Sequence, residues 1–141
     1  MNGRRKLGWI LGAAGAAMIS GAVLVGPGTA SATVNPATYG GNVDFCSQVG
    51  YPSSIQYNGS ITSGVYDAGG MFTATVANPY VTISGVAPGV VFQDVVVKGG
   101  PGYNVYNPPV ANMQPPPNPG GNLGLSHWFA CYTYTQPTTT T

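Results

Sequence analysis

V-V-F-Q-D-V-V-V-K-G-G-P-G-Y-N-V-Y, Val90 to Tyr106, is the stretch on which the fold turns. Val90 to Val97 is dense in β-branched and aromatic side chains and holds a single acid, Asp94. The run breaks at Gly99-Gly100-Pro101-Gly102 and resumes as Tyr103-Asn104-Val105-Tyr106. An apolar run of this length bounded by glycine predicts a strand buried on both faces, a turn, and a returning strand. It frames no recognisable reaction chemistry.

The same grammar extends outward in both directions. Met71 to Val76 alternates, with Phe72, Ala74 and Val76 on one face, and Tyr80 to Ser84 alternates with Val81 and Ile83 inward. Asn78-Pro79 between them predicts a hairpin. Ser60 to Tyr66 reads as a further strand with a bulge at Gly64, and Asp67-Ala68-Gly69-Gly70 as the next turn. Val43 to Cys46 has strand character, Gln48 to Asn58 carries turn chemistry, and Thr33 to Asn42 reads as a loose entry segment. Leu125 to Tyr134 is the second strong strand, with Trp128, Ala130, Tyr132 and Tyr134 on one face and His127, Phe129 and Cys131 on the other. Between the two strong strands, Asn107 to Gly124 is proline-rich and is expected to run extended across the surface, partly as polyproline II. The expected fold is all-β, a small antiparallel sandwich or barrel of about seven strands.

Composition narrows the function classes. Of 141 residues only 5% are charged while 43% are hydrophobic, so the polar surface has to come from Ser, Thr, Asn, Gln and tyrosine hydroxyls. Such a surface repels copies of itself weakly and leaves self-association open. Arg4, Arg5 and Lys6 are three of the four basic residues, and they open a segment that reads as an export signal. Leu7 to Val25 is its uncharged apolar core, Pro27-Gly28 breaks the helix, and Ala30-Ser31-Ala32 predicts cleavage before Thr33. Expected divisions are therefore a signal peptide over 1–32, an exported domain over 33–135 and a Thr/Pro-rich tail over 136–141. After cleavage Lys98 faces Asp44, Asp67 and Asp94, a balance of −2. Such a chain has no basic footprint for nucleic acid or for an anionic membrane surface.

Cys46 and Cys131 are the two cysteines, an even count in a chain read as exported. They predict one intramolecular disulfide tying the first strand to the last, against two buried thiols or a bridge between chains. Loop entropy alone would make that bond worth roughly 4–5 kcal/mol, discounted to roughly 2–4 for strain. Two cysteines and one histidine fall short of the four ligands of a structural zinc site. Asp44, Asp67 and Asp94 are scattered and match no calcium loop. No metal or cofactor is expected.

His127 is the sole histidine. A hydrolase would pair it with Asp94 and draw a nucleophile from Ser126, Ser47 or Ser60, but no nucleophile elbow frames these serines. The plainer reading is a histidine bonded within the sheet and an aspartate that caps a turn or bonds a tyrosine. Asn58-Gly59-Ser60 fits a glycosylation acceptor and, more simply, a hairpin turn. Tyr39, Tyr51, Tyr57, Tyr66, Tyr80, Tyr103 and Tyr106 fall at or near predicted turns, where rings serve sugar stacking or protein contacts.

K-G-G-P-G-Y-N-V-Y (Lys98 to Tyr106) and L-S-H-W-F-A-C-Y (Leu125 to Tyr132) together resemble a group of small exported proteins from high-GC Gram-positive bacteria, the actinobacteria. In that group V-K-G-G precedes a Y-N-x-Y turn, and S-H-W-x-x-C-Y closes the domain before a Thr/Pro-rich tail. The resemblance covers Phe72 to Thr141 and implies compartment and architecture, with no activity attached. Some members look like wall-attached proteins; the residues up to Thr141 hold no L-P-x-T-G motif.

These readings converge on an exported or cell-surface non-catalytic β module with a structural or adhesive role. Its expected partner is a cell-envelope glycan or protein. The alternatives are a carbohydrate-binding module using Tyr103, Tyr106 and the proline-rich loop, and a small hydrolase using His127. Candidate ligand contacts are Tyr103, Asn104, Tyr106, His127 and Trp128.

Overall fold

The strand that opens the decisive stretch is the middle of a five-stranded sheet. The structure, a computed structural model, describes residues 35–138. The segment read as an export signal, its expected cleavage point and the last three residues of the tail lie outside them. Among the described residues there are eight strands: β1 Ala37–Gly40, β2 Ile55–Asn58, β3 Gly64–Asp67, β4 Thr73–Ala77, β5 Tyr80–Ser84, β6 Val90–Lys98, β7 Gly102–Tyr106 and β8 His127–Tyr134. They form two antiparallel sheets, ordered β1-β7-β6-β8-β2 and β3-β4-β5. Among these residues no helix is long and apolar enough to cross a membrane.

Both faces of the five-stranded sheet are covered, which is why β6 and β8 read as continuous apolar runs. Its inner face sends Val95, Val97, Tyr106, Trp128, Ala130 and Tyr132 against Phe72, Ala74, Val76 and Val81 of the smaller sheet and its entry loop. Phe72 packs edge-on against Tyr57, Phe92 and Tyr132, with ring centroids 5.3, 5.1 and 5.6 Å away. The outer face sends Val96, Phe129 and Cys131 against Val43 and Cys46.

A bulge in β6 assigns these faces. Phe92 lies opposite Tyr132 and Asp94 opposite Cys131, so Gln93 has no partner on β8. Strict alternation would put Phe92 and Asp94 on one side. The extra residue instead leaves Phe92 with Val95 and Val97 in the inner core and turns Asp94, Val96 and Lys98 outward. Gln93 accepts a hydrogen bond from the Ser54 hydroxyl.

Four local expectations are corrected by long-range partners. Thr33 to Asn42 is not merely an entry segment: Ala37–Gly40 pairs with β7, and Asn35 clamps the join through Nδ2–H to Pro108 O and Oδ1 to the Asn107 amide, each 3.0 Å. Gly102 permits that pairing, since a Cβ there would stand 2.2 Å from Tyr39 O. Val43 to Cys46 is not a strand. The Gln48 side-chain oxygen takes the amides of Asp44 and Phe45, at 2.7 and 2.9 Å, and the chain coils into a 3-10 turn over Cys46–Val49. The disulfide Cys46–Cys131, Cα–Cα 5.7 Å, therefore ties that turn, not a first strand, to β8.

Asn58-Gly59 is not a hairpin, because β2 and β3 belong to different sheets. The dipeptide marks where the chain leaves one sheet for the other, directly over the Trp128 indole. The Gly59 amide donates to Trp128 O at 3.0 Å, and Trp128 Nε1–H donates to Ser60 O at 2.8 Å. The proline-rich connection, finally, is not confined to the surface. Met113 exchanges both backbone hydrogen bonds with Val81 on the edge of β5, at 2.7 and 2.8 Å, and Pro115, Pro116 and Leu125 are buried. An extended stretch leaves its backbone groups free for a sheet edge, and Met113 hands its own to Val81.

Candidate functional site

The 3-10 turn lies across the outer face of the five-stranded sheet, and a cleft of about 260 Å³ opens beside it. Its walls are Gln48 and Val49 from the turn, Tyr39 from β1, Tyr103 and Val105 from β7, and Asp94 from the β6 bulge. The volume falls just below the usual range for sites of drug-sized ligands, which sets the scale at one sugar ring or one headgroup.

Each wall follows from a feature above. The register Tyr39 opposite Tyr103 puts two rings on one face of neighbouring strands. They stack with centroids 5.4 Å apart and planes 25° from parallel. Tyr39 is the edge ring and keeps 50% of its surface exposed. The bulge turns Asp94 to the same face, where it is only 7% exposed. Burial pushes its carboxyl up to about 6, against a smaller opposing effect of the Asn107 amide. Its charge in turn raises the phenol of Tyr51, with burial adding to the shift.

A raised carboxyl pKa has a definite consequence for stability. The folded chain holds the Asp94 proton where the unfolded chain has released it, so this group's contribution falls as pH rises from about 4 to about 6. Asp94→Asn is expected to raise stability near neutral pH by roughly 1–2 kcal/mol, a figure discounted from the full shift because the cleft admits water. The gain should fade toward pH 4. Paired urea melts of the two chains across pH check this; an equal or lower midpoint for the variant near neutrality would contradict it. His127, whose pKa is lowered, works with the opposite sign below the ordinary imidazole value, and because both chains carry it the difference between them isolates Asp94.

Four residues along β6 from Asp94, and directly opposite the Tyr103 wall of the cleft, stands Lys98, with Asp44 and His127 as its neighbours. Lys98 is buried and donates to the more exposed Asp44 carboxylate. That hydrogen bond, with the lysine's charge, holds Asp44 below the usual carboxylate range despite some desolvation. His127 lies opposite Lys98, its ring 5.7 Å from Phe129. Desolvation first, then the Lys98 charge, lower its pKa, with Asp44 pulling the other way.

The sequence candidates therefore divide. Trp128 is fully buried, with its indole N–H bonded. Asn104 is buried, its Oδ1 accepting from the Thr38 hydroxyl at 2.6 Å and its Nδ2–H donating to Gln114 O at 2.8 Å. Tyr106 is buried, its hydroxyl donating to Gln114 O at 3.1 Å and accepting the Gln114 amide at 2.9 Å. These three offer no contact surface, because they face the inner core and the proline-rich segment. Tyr103 and His127 remain half-exposed on the outer face, and only Tyr103 lines the cleft.

The acid–base pairing of a hydrolase is not assembled. Asp94 lies opposite Cys131 and His127 opposite Lys98, four positions apart and roughly 13 Å at strand rise. Ser126 donates to Lys98 O at 3.2 Å. Asp67 serves its turn by accepting the Gly70 amide at 3.1 Å. Among the described residues no three His, Cys, Asp or Glu side chains lie close enough to hold a metal.

The sequence reading left Tyr39, Gln48 and Val49 out of the contact set and gave Asp94 no place in a binding wall. One signal was present: Asp94 is the sole charge inside an otherwise apolar run, and a charge there needs either a partner or an opening. The chain matches no protein-family model, no curated protein and no solved structure.

Proposed function

We propose that the chain is an exported, non-catalytic β module that adheres to the cell envelope, with the Tyr39–Tyr103 cleft as its point of contact. The observation that carries this reading is the cleft itself: a stacked aromatic pair and a buried acid, shaped by a turn that a disulfide pins to the sheet. Export is supported by the paired cysteines, which persist in oxidising compartments, and by the signal read over 1–32. An envelope glycan is the partner chemistry the stacked rings favour, since an exposed tyrosine plane beside polar groups stacks on a sugar face. The structural or adhesive role needs no further machinery.

Retention of the secreted chain on purified envelope should test this. Wild type is expected to sediment with the envelope, and Tyr39→Ala, at a half-exposed edge position, to fold normally and be released severalfold more. A wild-type chain found wholly in the supernatant, or a folded Tyr39→Ala chain retained as well as wild type, would count against the cleft as the contact.

A further inference from the structure

We infer that the chain pairs with a second copy of itself along β1, Ala37–Gly40, joining the two five-stranded sheets edge to edge with both clefts on a single face. The inference concerns how copies assemble and holds whatever the cleft binds.

The argument begins with the backbone. β1 is the outermost strand of its sheet and is paired on one side only, to β7. In an antiparallel ladder every second residue turns its amide and carbonyl away from the partner strand. Among the described residues nothing else takes the backbone groups of Ala37 to Gly40. Such an edge is a template for another strand unless a charge, a proline, a bulge or a cover blunts it. The other edges carry such devices. Met113 is bonded to β5 at Val81, the Asp44–Cys46 segment is tied to β2 through the Gln56 side chain, and β3 ends in the exposed Asp67. β1 has none of them. Its register with β7 is unbroken, Pro36 stands before the strand and not in it, and no charged residue occurs from Thr33 to Val43.

The side chains name the occupant. Residues opposite each other in an antiparallel pair share a face of the sheet. A two-fold axis through the edge at Tyr39, perpendicular to the sheet, therefore sets Tyr39 opposite Tyr39 of the second copy and keeps both outer faces on one side. The Tyr39 ring stacks on Tyr103 toward β7 and is 50% exposed, and the second copy covers its open flank. Repulsion between like charges, the usual obstacle to pairing identical surfaces, is missing on this strand, and Lys98, two strands in, is neutralised by Asp44. The pairing uses the same patch on both chains, so it closes at two copies. Four residues a side make a small contact, and the dimer is reversible. On a surface that repeats its ligand, two clefts on one face would strengthen retention by avidity.

Sedimentation of the secreted chain across concentration, joined to cysteine trapping, tests this. Wild type should pass from one copy to two below about 1 mM. Tyr39→Lys sets two ammonium groups opposite each other and should raise the midpoint concentration about tenfold or more. A short bifunctional maleimide should trap a dimer severalfold more readily from Tyr39→Cys than from Val65→Cys, an equally accessible position on the β3 edge. A wild type that stays single at about 1 mM, undiminished association of Tyr39→Lys, or equal trapping of the two cysteine variants overturns the inference. Trapping of Tyr39→Cys onto an envelope protein in place of a second copy overturns it as well. Dimerisation without envelope retention leaves it standing and removes the adhesive reading; retention of a chain that never dimerises does the reverse.

Discussion

Gly59→Ala is expected to destabilise the fold by at least about 3 kcal/mol, at the upper end of what overpacking costs. Nothing about Asn58-Gly59-Ser60 in isolation suggests it, since alanine normally replaces glycine at small cost. The reason is the Trp128 indole. An alanine Cβ at 59 would stand 1.9 Å from Trp128 Cε2 and 2.1 Å from Cζ2. The ring has no room to give way. It is fully buried, its N–H is bonded to Ser60 O, and its strand carries a backbone bond to Gly59 itself. Relief would require the crossover between the two sheets to lift, breaking both bonds and opening the inner core around Tyr57 and Ala130. Equilibrium urea unfolding of wild type and variant measures the effect, with Trp128 fluorescence as a local probe. A midpoint lowered by the small amount typical of an exposed loop would show that the crossover does not rest on the indole.

Removing the disulfide, by reduction or by the pair Cys46→Ser and Cys131→Ser, is expected to cost about 2–4 kcal/mol. The bond spans 85 residues, so it closes a long loop in the unfolded chain and restrains that state strongly. A domain of this size buries too little surface to be indifferent to such a loss. The location adds a second readout. Cys46 begins the turn that covers Val96 and Phe129, and Gln48 and Val49 from that turn form one wall of the cleft. Reduced protein should therefore expose Phe129 and lose ligand binding at denaturant concentrations where the inner core is still closed. Hydrogen exchange on β8 compared with β4 checks this order. Simultaneous loss of protection in both strands would mean that the turn has no stability separate from the whole.

These two positions also show how far the residues alone could be read. Alternation along Met71–Val76 and Tyr80–Ser84 was legible because each strand meets water on one side and core on the other. The long run of β6 announced a strand covered on both sides, and the cysteines announced their bond. The proline segment, the entry strand and the Asn58-Gly59 crossover were misread because their conformation depends on partners far along the chain: Val81 for Met113, Val105 for Ala37, Trp128 for Gly59.

The candidate site was least legible. Tyr103 and Asp94 both drew notice from the sequence, yet Tyr103 was grouped with Tyr106 and Trp128, and Asp94 with His127. A pleat of period two separates Tyr103 from Asn104 and Tyr106, and the bulge at Gln93 reverses the face of everything before it. No count along the chain reveals a bulge whose cause is the fit of Phe92 among Phe72 and Tyr132.

The amino-acid sequence by itself determined an all-β chain with one cysteine pair, because period, turn residues and composition act locally on the backbone. Only the tertiary structure decided which tyrosines meet, which faces close and where the buried acid opens to solvent. Those outcomes depend on the register between strands tens of residues apart, and register follows from packing the whole core at once.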